Sequence, residues 1–377
     1  MRRRERTGIK MVVLAALMLG CLVGCRGNEG GEYEVPEGEL HIFADRTTIV
    51  ADGVEEVRFT LMFGAEDVSA DENVQLIYGV NDKLSSADEV WCPFGVTTFS
   101  TTDAGKYRFR ARYGSVESVQ SVEVVATEEP ATGAERHYRQ IFAGFQFTSV
   151  WCSGCPALKQ AIEAVQKRGL PLVPMAFHRN MGPQMVDPMT FVMEKTNDYM
   201  IACGSDGTSL PYFCVNMVKD KTLGGVHDVQ QGSEVEAIMD FVGKEWPVQC
   251  GVAMESQYVE ASATAEVTLR LCSNVSARYN YQLVLLEDGV SYGGEEYDNV
   301  VRGLATSAKY GVKVADGEVC RKCQEVSWKV SVACDRSWKA ERMRVVALVI
   351  DPVERIVVQC GVCDLAGGRA DYALENE

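Results

Sequence analysis

The pattern of apolar and polar positions changes character several times along the chain. Met11 to Val23 is a continuous apolar run, preceded by five basic residues: Arg2, Arg3, Arg4, Arg6 and Lys10. That run is too short to span a bilayer and has the layout of a signal peptide over 1–24. Residues 25–37 carry no apolar period after Cys25, and their Gly, Glu and Pro content predicts a flexible tether. From Gly38 onward, short runs alternate apolar and polar positions, as in Val54 to Leu61, Val74 to Tyr78 and Tyr107 to Tyr113. Asp52-Gly53, Asn81-Asp82 and Asp103-Ala104-Gly105 supply the turns between them. This spacing predicts a β-sandwich over 38–127.

Residues 128–137 begin with a polar, breaker-rich stretch, Glu128 to Ala134, and read as a linker. Over 138–247 strand-like runs alternate with helical spacing. Ile141 to Val150, Leu170 to Phe177 and Tyr212 to Met217 are strand candidates. Cys155 to Arg168, residues 188–201 and Ser233 to Lys244 are helix candidates; the second of these would present Phe191, Met200 and Ile201 as its apolar positions. Such alternation predicts an α/β layer. From 248 to 377 the β-like runs return (Ala265 to Leu271, Tyr281 to Leu286, Glu325 to Ala333, Met343 to Ile350, Ile356 to Val358), which predicts a second β-sandwich. The fold class expected is α+β multidomain: a β-sandwich, a central α/β domain and a C-terminal β-sandwich.

Composition narrows the functional classes. A net charge of −16 argues against a nucleic-acid partner, since that affinity comes mainly from Lys and Arg neutralising phosphates. Fourteen cysteines against four histidines point to an exported, oxidising setting more than to metal sites. The apolar run ends in Leu22-Val23-Gly24-Cys25, which resembles the bacterial lipoprotein box, with Met18-Leu19-Gly20-Cys21 a poorer match. The resemblance implies cleavage before Cys25 and a lipid on its thiol. Arg26 follows Cys25, with no Asp at the position that commonly retains lipoproteins in the inner membrane, so an outer-membrane anchor is expected. Cleavage would remove five positive charges and one negative, taking −16 to about −20.

The sharpest chemical signal is Val150-Trp151-Cys152-Ser153-Gly154-Cys155-Pro156, placed where a buried strand turns into a helix. A thiol at a helix N-terminus faces unpaired N–H groups and the positive dipole end, which favour its thiolate. A second thiol one turn on can resolve a mixed disulfide. Cys152 is thus the candidate attacking thiol and Cys155 the resolving one. This strand-turn-helix motif resembles the thioredoxin fold, and Leu210-Pro211-Tyr212 extends the match: in that family a cis-proline here faces the cysteine pair, which makes Pro211 the third candidate site residue. The family's buried acid, six residues before the first cysteine, is replaced here by Gln146. The other reading of Cys152–Cys155 is a static disulfide that staples the helix start.

Two wider resemblances follow. The stretches ADRTTIVADG, DAGKYRFRARYG and SVQSVEVVA look like a bacterial immunoglobulin-like repeat. Phe147 to Pro156, Phe177-His178, Leu210-Pro211 through Val215-Asn216, Leu283 to Gly289, Asn299 to Arg302 and Arg344 to Asp351 occur in an order similar to the outer membrane protein 28-related lipoproteins of Gram-negative bacteria. That resemblance implies a surface or periplasmic lipoprotein with adhesion-like roles and no agreed reaction. Gln146 and Ser149 depart from the Glu and Gly common in that family. The partners expected are the lipid on Cys25 and either protein thiols and disulfides or a surface protein; no cofactor and no metal is expected.

Cys320-Arg321-Lys322-Cys323 and Cys360-Gly361-Val362-Cys363 are two further pairs. Structural disulfides between neighbouring strands are the main reading, and a four-thiolate zinc knot is the alternative. Cys203 and Cys214 flank Pro211 and could bond to each other. His178 ends a strand and is expected to be hydrogen-bonded in place. Trp91, Trp246, Trp328 and Trp338 are expected in packing roles.

Overall fold

The structure is a computed structural model that describes residues 38–81, 89–130 and 133–375; the signal segment, the tether and Cys25 lie outside the described residues. Contacts divide the chain into two compact units. One runs to Ala51 and from Glu55 to Glu128, and the other takes Asp52–Val54 and Glu129 onward.

The first unit holds β1 (Leu40–Ala44), β2 (Thr48–Val50), β3 (Val57–Phe63), β4 (Val74–Val80), β5 (Gly105–Tyr113) and β6 (Val122–Thr127). β1 and β3 pair antiparallel in one sheet. The other sheet runs in the order β2-β6-β5-β4. Strand alternation builds the core between them. Val57, Phe59 and Leu61 point in while Arg58 and Thr60 point out, and Tyr107, Phe109 and Ala111 do the same on β5. These meet Leu40, Ile42, Leu76 and Val124 in one apolar cluster. The Tyr107 hydroxyl donates to the Asp103 carbonyl at 2.8 Å and so closes the turn before its own strand.

The second unit contains β7 (Phe142–Thr148), α1 (Cys155–Lys167), β8 (Leu172–His178), α2 (Met193–Ala202), β9 (Tyr212–Val215), β10 (Thr222–Leu223) and α3 (Ser233–Glu245). It continues with β11 (Cys250–Val259), β12 (Thr264–Ser273), β13 (Asn280–Glu287), β14 (Val300–Leu304), β15 (Glu325–Ala333), β16 (Met343–Asp351) and β17 (Ile356–Asp364). Its large sheet runs β10-β9-β7-β8-β14-β13-β16-β17. β7 and β8 are parallel, in register from Phe142 opposite Leu172 to Thr148 opposite His178, and every residue of both is buried. The α1 crossover joins them, as a parallel connection requires. A parallel bridge between Ala176 and Val300 carries the sheet on into β14, reinforced by the Ala176 N–H donating to the Asn299 carbonyl at 2.8 Å.

Three cores hold this unit. α1 and α3 present Leu158, Ile162, Val165, Val235, Ile238 and Val242 to Phe142, Leu172 and Phe213. Tyr199 and Met200 of α2 join Phe145 and Phe177 with Val284, Leu286, Val346 and Leu348 from the distal strands. The intervening positions Leu283, Leu285, Val345 and Ala347 face the smaller sheet of β15-β12-β11, where they meet Val252, Met254, Val267 and Leu269. β13 and β16 are thus covered on both faces, which is why they read as unbroken apolar runs.

This corrects the expected fold class. Among the described residues strands take 43% and helices 13%, so they are mostly β, and no separate central thioredoxin-like α/β domain stands between two sandwiches. The helix-bearing strands and the C-terminal strands form one sheet. A free outer edge on β8 would leave a row of backbone N–H and C=O groups unpaired, and β14 fills that edge. The C-terminal strands do form two layers packed face to face, but four of the seven strands β11–β17, namely β13, β14, β16 and β17, belong to the sheet shared with the helix-bearing strands. The second helix also starts later than the expected 188–201. Asp187 holds a turn there through the Met189 N–H, at 2.8 Å, and the Thr190 N–H, at 3.1 Å. Phe191 and Ile201 are exposed, while Met200 is buried as expected, with Tyr199 beside it.

Candidate functional site

β7 ends at Thr148, and the chain turns through Ser149–Trp151 before Cys152. Cys152 and Cys155 are joined by a disulfide with a Cα–Cα distance of 5.4 Å. The turn is closed by the Cys152 N–H donating to the Ser149 carbonyl at 3.1 Å and the Cys155 N–H donating to the Cys152 carbonyl at 3.3 Å. α1 opens at Cys155 with Gly154 as its N-cap, Pro156 in its first turn, no side-chain cap and no acidic residue in that turn. Its first N–H groups and positive dipole end therefore meet no competing carboxylate from the helix itself. Cys152 is 8% exposed and Cys155 4%.

Pro211, 56 residues after Cys155, is brought to this pair. The Leu210–Pro211 peptide is cis. A Cβ added to Gly154 would stand 3.2 Å from Pro211 Cδ, so the proline ring rests directly on the helix start. The fold thus assembles Cys152, Cys155 and Pro211, while Cys25 lies outside the described residues. Gln146 is buried on β7, opposite Ala176 and Phe213.

Sequence reasoning passed over Asp187. Its Oδ2 accepts the Val150 N–H at 3.0 Å and lies 2.8 Å from His178 Nδ1, while Oδ1 accepts the Met189 N–H. His178, Asp187 and Met189 are buried, and Val150 is half-buried. Burial alone would raise the Asp187 carboxyl, yet the bond and charge of His178, with the N–H groups of Met189 and Val150, bring it below its ordinary value. His178 is hydrogen-bonded in place, and the edge of its ring meets Tyr297 at 5.8 Å. No spacing rule links positions 178 and 187 to 150; only the loop geometry does. Beside them, Ser149 Oγ and Trp151 Nε1 are buried with no hydrogen-bond partner.

The remaining cysteines depart from expectation. Ten described cysteines are unbonded thiols, including Cys203, Cys214, Cys320, Cys323, Cys360 and Cys363. Cys360 and Cys363 sit three apart on β17, and odd spacing on a strand sends them to opposite faces: Cys360 into the core of α2, Cys363 into the core under the smaller sheet. That geometry rules out both a local bridge and a shared metal. Among the described residues, no three His, Cys, Asp or Glu side chains converge as metal ligands. Cys203 and Cys214 are both fully buried, and burial pushes the Cys203 thiol well above its ordinary value. Trp328 packs on Tyr281 and Trp246 on Phe241, whereas Trp91 is 45% exposed, with Arg112 over its ring.

No protein-family model matches the sequence, and no curated protein matches it. Among solved structures the chain is similar to HBP35 of Porphyromonas gingivalis, at 14% identity over 65% of this chain and 79% of that one, with a TM-score of 0.46. It is also similar to a domain of the outer membrane lipoprotein Omp28 from Porphyromonas gingivalis, at 16% identity over 32% of this chain and 90% of that one, with a TM-score of 0.24. Likeness at this level names no family and assigns no role. No described helix is long and apolar enough to cross a membrane.

Proposed function

We propose that this chain is an outer-membrane lipoprotein, anchored through Cys25, that carries out thiol–disulfide exchange with protein substrates through Cys152 and Cys155. One observation carries the redox reading: the pair sits at the start of α1, whose first turn carries no acid and no side-chain cap, with Pro211 against it. In the reducing direction, the Cys152 thiolate attacks a substrate disulfide, forms a mixed disulfide and releases one substrate thiolate. Cys155 then attacks Cys152 Sγ, restores the Cys152–Cys155 bond and releases the second substrate thiolate. Cys152 takes the attacking role because it is the less buried of the two.

The test uses the intact chain, reduced and offered insulin as the disulfide substrate. Wild type should turn over. Cys152→Ser should abolish exchange, and Cys155→Ser should accumulate the mixed disulfide. Absence of exchange in wild type, with a reduction potential below about −300 mV, overturns the redox reading.

A second reading is favoured by burial. Both residues are more than nine-tenths buried, and Gln146 stands where a proton-accepting acid would be. In this reading the pair is a structural staple in a surface-binding lipoprotein. The anchor is tested separately: Cys25→Ser should release the chain from the membrane fraction.

A further inference from the structure

Four cysteines lie at the end of the β11–β12 ladder, near Ser273 and Ala277. Cys250 opens β11 directly opposite Ser273 of β12, while Cys272 stands opposite Gly251. Adjacent strand positions face opposite sides of a sheet, so Cys250 and Cys272 lie on different faces of the ladder and cannot bond to each other. Cys250 belongs to the core between the two sheets, with Val252, Leu269 and Leu271, and Cys272 stands outside it.

The loop that carries Cys320 and Cys323 runs along the end of this ladder. Cys320 exchanges backbone hydrogen bonds with Ala277 at 2.9 and 3.1 Å, Lys322 bridges Ser273, and the Cys323 N–H donates to the Ser273 carbonyl at 2.6 Å. Cys320 is fully buried in the same core as Cys250. Cys323 is partly exposed, outside that core, with a left-handed backbone at φ +58°. The four thiols therefore divide by place, Cys250 and Cys320 inside the core between the sheets and Cys272 and Cys323 outside it, and do not converge on a tetrahedral centre.

We propose that in an oxidising compartment these thiols close as Cys250–Cys320 and Cys272–Cys323, two cross-links that pin the 318–324 loop to both faces of the β11–β12 ladder. Each closure removes two electrons and two protons from a thiol pair. One cysteine thiolate attacks a disulfide oxidant such as glutathione disulfide and displaces its first thiolate. The second cysteine attacks the mixed disulfide and displaces the other, so the oxidant leaves as two thiols. Cys323 is the accessible thiol of its pair. Burial pushes Cys250 up to about 12 and Cys320 to about 11, so the closed core keeps that pair protonated and its bond forms while the chain folds.

Tryptic mapping tests the connectivity, because Arg321 and Lys322 separate Cys320 from Cys323 and Arg270 separates Cys250 from Cys272. The intact chain, exported into an oxidising compartment, is alkylated in denaturant without reduction, digested and analysed by mass spectrometry. Peptide 245–270 should be joined to 314–321, and 271–278 to 323–329. Cys320→Ser should leave Cys250 alkylated and the Cys272–Cys323 link intact. A 314–321 to 323–329 link, a Cys250–Cys272 link, or alkylation of all four in wild type overturns the proposal.

Discussion

His178 Nδ1 stands 2.8 Å from Asp187 Oδ2, and the same carboxylate oxygen accepts the backbone N–H of Val150, two residues before Cys152. One buried carboxylate thus ties the end of β8 to the turn that presents the cysteine pair. Its position makes it a support for that turn and not a reacting group.

Asp187→Ala should therefore be severe. It strips the partner from a buried imidazole and from the Val150 N–H, a loss of about 3–5 kcal/mol. Urea unfolding should show a lower midpoint with an unchanged slope. In the reduced protein, alkylation of Cys152 should be faster than in wild type, as the turn loosens.

Acid should weaken the second unit through two depressed carboxyls. Asp187 lies below its ordinary value, and Glu234 is lowered to about 2 by the His227 ring and by the N–H groups of His227 and Asp228. A group with a lowered folded value contributes stability above its unfolded value, about 4 for these acids, and loses it as pH falls through the folded value. The thermal midpoint should thus hold at neutral pH and decline from about pH 4 toward 2. Glu234→Gln should make that decline shallower.

The fragment 138–247 should not fold on its own. Removing the later strands exposes the outer edge of β8 and uncovers Phe145, Phe177 and Tyr199, which pack in one core with Val284, Leu286, Val346 and Leu348. Circular dichroism and amide spectra should show a collapsed or aggregating chain, while 129–377 gives a single cooperative transition. A well-dispersed spectrum from the shorter fragment would contradict the shared sheet.

Gly232→Ala should cost more than a surface change. Gly232 caps α3 at φ +67°, and a Cβ there would stand 2.3 Å from the Ala161 carbonyl oxygen of α1. A left-handed backbone adds about 1–2 kcal/mol for a non-glycine residue, before α1 and α3 move apart. Thermal unfolding should show the loss, and Gly169→Ala, where φ is also positive but nothing lies within 4 Å, should show only the backbone part.

Much of the local structure was legible in the residues. The α1 and α3 boundaries agree with their periodicity to within a residue, and the alternation in Val57 to Leu61 and Tyr107 to Ala111 already separates buried from exposed positions. The two-faced burial of β13 and β16 was also visible, in LVLL and VVALVI, but nothing in those runs says that their sheet continues into the helix-bearing strands. Period two likewise already forbade a bridge between Cys360 and Cys363. Asp187 left no such trace, because its partners lie nine and 37 positions away.

By itself, the sequence determined most of the strands and the spans of α1 and α3, where the Cys152–Cys155 motif falls at a helix start, and that the chain is acidic and rich in cysteine; it did not mark β11, β14 or the start of α2. These follow from side-chain period, capping and composition, which act over a few residues. Tertiary structure alone decided that one sheet runs through β8 into β14, that Pro211 rests on Gly154, that Asp187 holds Val150, and which cysteines share a face. Those outcomes depend on which strand edge finds a partner and on register, and both are set by the packing of segments far apart in the chain.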